Sequence, residues 1–216
     1  MRPVLGILIF CAAAVAQGPL SPGAAEWKSA AQAVLALHRT PPLYPTDSPA
    51  ANDVQSVQVR VLHVPSGHYV RLEWNDRSRD SATLAKAERV WQGEHLVNQS
   101  PATDRFSDAC AVMVPERAVS GDMNPSLQMG DATHPVRIYF WDATRGAALM
   151  QASGRETTKR TGQGFPSEGQ YADGKWTVVL QVPELQPGAP FAVAIWNGSQ
   201  QDRDGRKNFS KWYRAQ

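Results

Sequence analysis

Period-two alternation runs through most of this chain and narrows its possible folds more than any other feature. In "VQSVQVRVLHV", Val57, Val59 and Val61 alternate with Gln58, Arg60 and Leu62, and in "HYVRLEW", Val70, Leu72 and Trp74 alternate with Tyr69, Arg71 and Glu73. Residues two apart share one face of a strand, so each segment reads as a strand with one buried side. Pro65 to Gly67 between them reads as a hairpin turn. Further strands read at "DACAVMV", "PVRIYFW", "KWTVVLQV" and "FAVAIW"; in the last, Phe191, Val193 and Ile195 share one face and Ala192, Ala194 and Trp196 the other. Six or more short strands without a long helix make the fold class all-β, an antiparallel β-sandwich. Seven tryptophans, 16 glycines and 16 prolines among 216 residues fit a turn-rich β protein.

The first 50 residues follow a different pattern. Met1 and Arg2 precede an apolar run from Val4 to Val15, and Ala14-Val15-Ala16 forms an A-x-A site. This reads as a signal peptide over residues 1–16, too short to span a bilayer, and it predicts export with no membrane span. Residues 17–50 are rich in Ala and Pro and read as an arm, with "EWKSAAQAVLAL" as a short helix ahead of the extended "TPPLYPTDSP". Residues 51–216 form the folded domain. Cys11 lies in the leader, so the mature chain keeps only Cys110, enough for neither an internal disulfide nor a cysteine-ligated metal. Within "DACAVMV", Cys110 reads as a small buried apolar residue.

Several kinds of chemistry are disfavoured. A formal charge of +2 without a long basic block gives no nucleic-acid track. There is no G-x-S-x-G elbow, and His38, His63, His68, His95 and His134 have no zinc-binding spacing. "NGSQQDRDGRKN", Asn197 to Asn208, lacks the alternating oxygen ligands of an EF-hand loop and reads as a polar loop. "RETTKRTGQGFPSEGQYADG", Arg155 to Gly174, has too few apolar residues for the core and reads as an exposed excursion. The loop "GDMNPSLQMGD", Gly121 to Asp131, carries two methionines among turn residues. A loop thioether is either a lid over the core or a ligand.

Four segments, in order, carry a resemblance. They are "DRFSDA" from Asp104 leading into a strand, "LQMGD" followed by "HPVRIYFW", "AIWNG", and the downstream "GRKNFSKWY". Together they resemble the haem b-binding gamma subunit of type II enzymes of the DMSO reductase family, a group that includes ethylbenzene dehydrogenase and the dimethylsulfide, selenate and chlorate oxidoreductases. "RLEWNDRSRD", Arg71 to Asp80, is similar to that family's early strand and turn, and the resemblance runs from about Asn52 to the C-terminus.

The resemblance implies a sandwich whose long loops form a haem pocket, with one non-covalent haem b held by a methionine and a lysine. The methionine before Gly in the "MG" loop corresponds to Met129, and the lysine of "GRK" to Lys207; Met123 and Lys211 are the neighbouring alternatives. Trp141, Trp196, Phe209 and Trp212 are candidates to wall the pocket or fill the core, and Arg105, Arg137 and Arg206 to meet propionates. The implied role is a non-catalytic, periplasmic electron-transfer subunit. Its implied partners are a molybdenum-cofactor catalytic subunit and an iron–sulfur subunit in a heterotrimer, with a soluble cytochrome c or a quinone-linked carrier outside it. The competing reading is a haem-free carbohydrate- or ligand-binding β-sandwich with tryptophans as stacking platforms.

Overall fold

A computed structural model describes residues 18–41, 54–81, 88–92, 95–99, 106–119, 123–162 and 164–216. The signal peptide expected over 1–16 lies outside the described residues, as do Arg105 and part of the expected arm. Among the described residues the regular secondary structure is nearly all strand, the sheets are antiparallel, and no helix is long and apolar enough to cross a membrane.

The first sheet has five strands: β1 (Gln32–Ala36), β3 (Ser56–Val64), β4 (Gly67–Asn75), β12 (Lys175–Gln181) and β11 (Ser167–Ala172), in that spatial order. The second runs β10 (Lys159–Arg160), β9 (Gly146–Ala152), β8 (Val136–Asp142), β7 (Ala109–Pro115), β13 (Pro190–Trp196), β14 (Asn208–Phe209) and β2 (His38–Arg39). The short β15 (Tyr213–Arg214) also pairs with β13, and β5 (Glu88–Gln92) and β6 (His95–Gln99) form a separate hairpin.

The inner faces of the two sheets meet in one core. Val57 and Val59 of β3, Val70, Leu72 and Trp74 of β4, and Val178 and Leu180 of β12 pack against Cys110, Val112 and Val114 of β7 and Phe191, Val193 and Ile195 of β13. This is the sandwich read from the alternation. Cys110 is fully buried and burial pushes its thiol pKa up, as suits an inert core residue. At one end of the core Trp74 stacks on Trp176 with centroids 6.2 Å apart, and Trp141 and Tyr171 approach Trp176 edge-on at 5.2 and 5.3 Å.

Two local readings need correction. "EWKSAAQAVLAL" is not an α-helix: Ala25–Lys28 make one 3-10 turn and Gln32–Ala36 become β1, in register with β3 from Gln32↔Arg60 to Ala36↔Ser56. A helix of that length has little stability of its own, whereas the edge of β3 supplies backbone partners for the peptide groups of alternate residues. This segment also covers the outer face of the first sheet, where Trp27 joins Tyr69 and Val179 in a smaller apolar cluster. The Arg155 to Gly174 excursion is exposed as expected, but it contains β10 and β11, and β11 pairs with β12 from Ser167↔Leu180 to Ala172↔Lys175.

Candidate functional site

On the outer face of the second sheet, the strands that bury Val and Ile inward turn alanines outward. Ala109 and Ala111 of β7 and Ala192 and Ala194 of β13 lie in register, with Ala194 opposite Ala111 and Trp196 opposite Ala109. Four methyl groups on adjacent central strands form a flat apolar floor. Met113, Val136, Ile138, Phe140, Met150 and Trp196 surround it, and Phe140 meets Trp196 edge-to-face with centroids 5.3 Å apart.

Met129 packs onto this face, in the same cluster as Trp196, Leu127 and Trp212. It is held there by an unusual backbone: Met129 has φ 74° and Gly130 φ 72°, two consecutive residues in the left-handed region. For a non-glycine residue that conformation costs roughly 1–3 kcal/mol, so the surroundings must impose it. Gly130 N–H donates to Ser126 O (2.8 Å), Gly154 N–H to Met129 O (2.9 Å), and Thr133 and His134 N–H to Asp131 Oδ1 (2.9 Å each). The Trp212 indole N–H donates to Pro125 O (2.9 Å), fastening the loop to the C-terminal segment. Met123, by contrast, is 59% exposed.

Lys207 reaches the same face from the other side. The β13–β14 register pairs Ala194 with Phe209 and Ile195 with Asn208, so Lys207 follows opposite Trp196. Its Nζ lies 5.4 Å from the centre of the Trp196 ring, and the Trp196 indole N–H is fixed to Asp204 O (3.1 Å). Its carbonyl accepts from Thr40 N–H (2.9 Å) and Thr40 Oγ1 (2.8 Å). Burial lowers the amine's pKa, the nearby Arg155 charge acts in the same sense, and Asp204 opposes them. Among the described residues Lys207 has no ion-pair partner, whereas Lys211 is exposed. Arg155 follows Gly154, the residue bonded to Met129, so one short turn touches the surroundings of both candidate ligands.

The loop before Lys207 is organised by a buried ion pair. Asp202, whose side chain is fully buried, accepts both Arg39 guanidinium nitrogens (2.8 and 2.5 Å) and Asn197 N–H (3.1 Å). Arg206 lies 3.8 Å from the same carboxylate, and Arg137 pairs with Glu184. Neither guanidinium is therefore uncommitted. Trp141 fills the sandwich core, while Trp196 and Trp212 border the outer face and Phe209 lies half-buried beside them. No tryptophan with a described side chain is exposed.

No family model matches the chain. A Haloferax mediterranei protein named as a respiratory nitrate reductase haem subunit is 28% identical over 208 residues, covering 90% of this chain and 67% of its own length. The dimethylsulfide dehydrogenase subunit gamma of Rhodovulum sulfidophilum is 27% identical over 211 residues, 88% of this chain and 71% of that protein. The chain is a homologue of these subunits. The chlorate reductase subunit gamma of Ideonella dechloratans is likewise 27% identical over 210 residues, 87% of this chain and 74% of its own. The resemblance read from four motifs thus extends over nearly the whole chain.

Three parts of the site went unread in the sequence. The alanine floor is written as small residues at period two in "ACAVM" and "AVAIW", a signal that can be read once the opposite face is assigned to the core. Arg155 and the Arg39–Asp202 pair carry no local pattern. Gly130, by contrast, can be tested directly. A Cβ there would lie 2.6 Å from His134 O and 3.2 Å from Val136 Cγ1, at a φ that favours glycine. Gly130→Ala is expected to destabilise the protein by about 1–3 kcal/mol and to displace Met129, read as a lower midpoint in chemical denaturation.

Proposed function

We propose that this chain is the haem-binding electron-transfer subunit of an exported molybdenum oxidoreductase, holding one haem b between Met129 and Lys207. The observation that carries the reading is the convergence of those two side chains on one apolar face. Met129 is clustered with Trp196, and Lys207 lies over the Trp196 ring. The donor set and its surroundings fit the group. A flat floor of alanines ringed by Trp, Phe and Met suits an apolar macrocycle, and a loop lysine without an ion pair is available as an amine.

Bound there, haem supplies one-electron transfer between ferrous and ferric iron. Met129 offers a soft neutral thioether, which favours the ferrous state and raises the potential relative to harder ligands. Lys207 ligates only as the neutral amine, and burial already biases it toward that form. With both side chains on the metal no position remains for oxygen or substrate, so the chain carries electrons and does no bond chemistry by itself. The relatives' names support a place in a multi-subunit reductase or dehydrogenase complex; the proposed partners within it are a molybdenum-containing catalytic subunit and an iron–sulfur subunit, with a soluble cytochrome c or quinone-linked carrier outside. The leader over residues 1–16 supports a periplasmic location.

The test is the visible spectrum of protein exported from haem-supplied cells, oxidised and then reduced with dithionite. A six-coordinate low-spin b-type spectrum is the expected result. A protein that stays colourless when haem is added overturns the reading.

A further inference from the structure

A second cluster of chemistry-bearing side chains lies away from the outer face, where the two sheets come together. Asp76 follows the last residue of β4, Asp80 closes the turn after it, and Asp108 immediately precedes β7. One carboxylate oxygen from each lies within 4.8 Å of the others. A Ca²⁺ ion binds oxygens at about 2.3–2.6 Å, so its coordination sphere is about 4.6–5.2 Å across and spans such a group.

The hydrogen bonding of the cluster is incomplete in a specific place. Asp108 is fully satisfied: Oδ1 accepts Gly198 N–H (2.9 Å), and Oδ2 accepts Asp80 N–H (2.7 Å) and the Trp176 indole N–H (2.9 Å). Asp80 Oδ2 accepts the Ser78 hydroxyl (2.7 Å), and Asp76 Oδ1 accepts Ser78 N–H (3.2 Å). Asp76 Oδ2 is buried without a hydrogen bond of good geometry, on a residue only 3% exposed. The Trp74 indole N–H interacts with the Asp76 carboxyl and favours its charged form, though without the geometry of a full hydrogen bond.

Charge makes the arrangement stranger. Every donor to these three carboxylates is neutral, and among the described residues no Lys or Arg pairs with any of them. Arg77 and Arg79, which flank the turn in sequence, are exposed. An unpaired buried carboxylate costs several kcal/mol, so at neutral pH positive charge must enter the cluster, as a proton or as a metal ion.

We propose that Asp76, Asp80 and Asp108 form a structural site for a hard divalent cation, Ca²⁺ by size and by its preference for oxygen. Asp76, whose Oδ2 lacks a well-formed hydrogen bond, is the ligand for which the described residues supply no positively charged partner. The site ties β4 to β7, and through Asp108 and Gly198 it fixes the start of the loop that ends in Lys207. A Cβ at Gly198 would lie 2.0 Å from Phe106 O, so the N–H that anchors this loop comes from a position only glycine can occupy.

The test is independent of haem and uses the full exported chain stripped with EGTA. Tb³⁺ stands in for Ca²⁺, with excitation of the tryptophans, because the Trp176 ring is hydrogen-bonded to Asp108. The expected result is sensitised Tb³⁺ emission that Ca²⁺ displaces and Mg²⁺ displaces poorly. A melting temperature about 5–10 °C higher at a Ca²⁺ concentration about 100-fold above Kd should accompany it. Asp80→Asn alters a half-exposed side chain and should weaken Tb³⁺ binding at least about tenfold while the EGTA-treated protein still melts cooperatively; Asp76→Asn should do the same. Emission no stronger than that of Asp76→Asn overturns the proposal. So does a melting temperature equal in Ca²⁺ and EGTA and raised by Asp76→Asn, which would show a cluster neutralised by a proton.

Discussion

Lys207→Ala is expected to remove the six-coordinate low-spin haem spectrum while the sandwich stays folded, and Met129→Ala to do the same. Neither side chain belongs to the inter-sheet core. Unchanged spectra in both variants would overturn the ligand assignment. The two changes should differ in kind. Met129→His keeps a strong sixth ligand but exchanges a soft thioether for a harder imidazole, so it should stay low-spin and shift the potential downward. Lys207 adds a pH signature. Its folded pKa is lowered by burial, so between the folded and unfolded values the unfolded chain binds more protons, and the stability of the haem-free protein rises with pH across that window. Lys207→Met should flatten this rise, as measured by denaturation at a series of alkaline pH values. In the haem-loaded protein, acid should protonate the Lys207 amine and convert the spectrum to high-spin, a transition absent from Lys207→Met.

The sandwich was legible because its core strands carry their own pattern. Val70, Leu72 and Trp74 recur at period two because they face the inter-sheet core, and β7, β8, β12 and β13 send alternate residues into the same core. What the pattern missed was strand without burial. β11 reads "SEGQYA" and is mostly exposed; its peptide groups pair with β12 at a sheet edge, a cause that leaves no hydrophobic trace. β9, "GAALMQA", is masked by small residues, and β1 has only Leu35 buried. The site divides in the same way. Met129 and Lys207 came from a resemblance, and no local rule marks them: one depends on a left-handed backbone held by Ser126 and Gly154, the other on cross-strand register with Trp196. Asp76, Asp80 and Asp108 belong to two segments about 30 residues apart in the sequence, and only the packing of the sheets brings them together.

Arg39→Ala carries the largest expected loss of stability, about 3–5 kcal/mol, because removing one partner strands a buried charge. Asp202 has no exposed side-chain surface, and Arg39 approaches it with two nitrogens. The effect should depend on pH in a definite direction. Burial raises the Asp202 pKa, while the Arg39 hydrogen bonds, Asn197 N–H and the Arg39 and Arg206 charges hold it down. A carboxyl whose folded pKa is raised contributes stability at low pH that is lost as pH rises through that pKa. Without Arg39 the pKa climbs further, so the variant's deficit should be largest at neutral pH and shrink on acidification, when Asp202 protonates and no charge is left stranded. Denaturant midpoints of both proteins at pH values on either side of that titration check this; a deficit independent of pH would mean that Arg39 acts through packing alone. The change should also reach Lys207. Arg39 pairs with Asn208 across β2 and β14, and Thr40 donates to the Lys207 carbonyl. Loosening the Asp202 loop therefore frees the segment that holds the amine over Trp196, and Arg39→Ala should weaken haem retention even though Arg39 lies outside the apolar cluster around Met129.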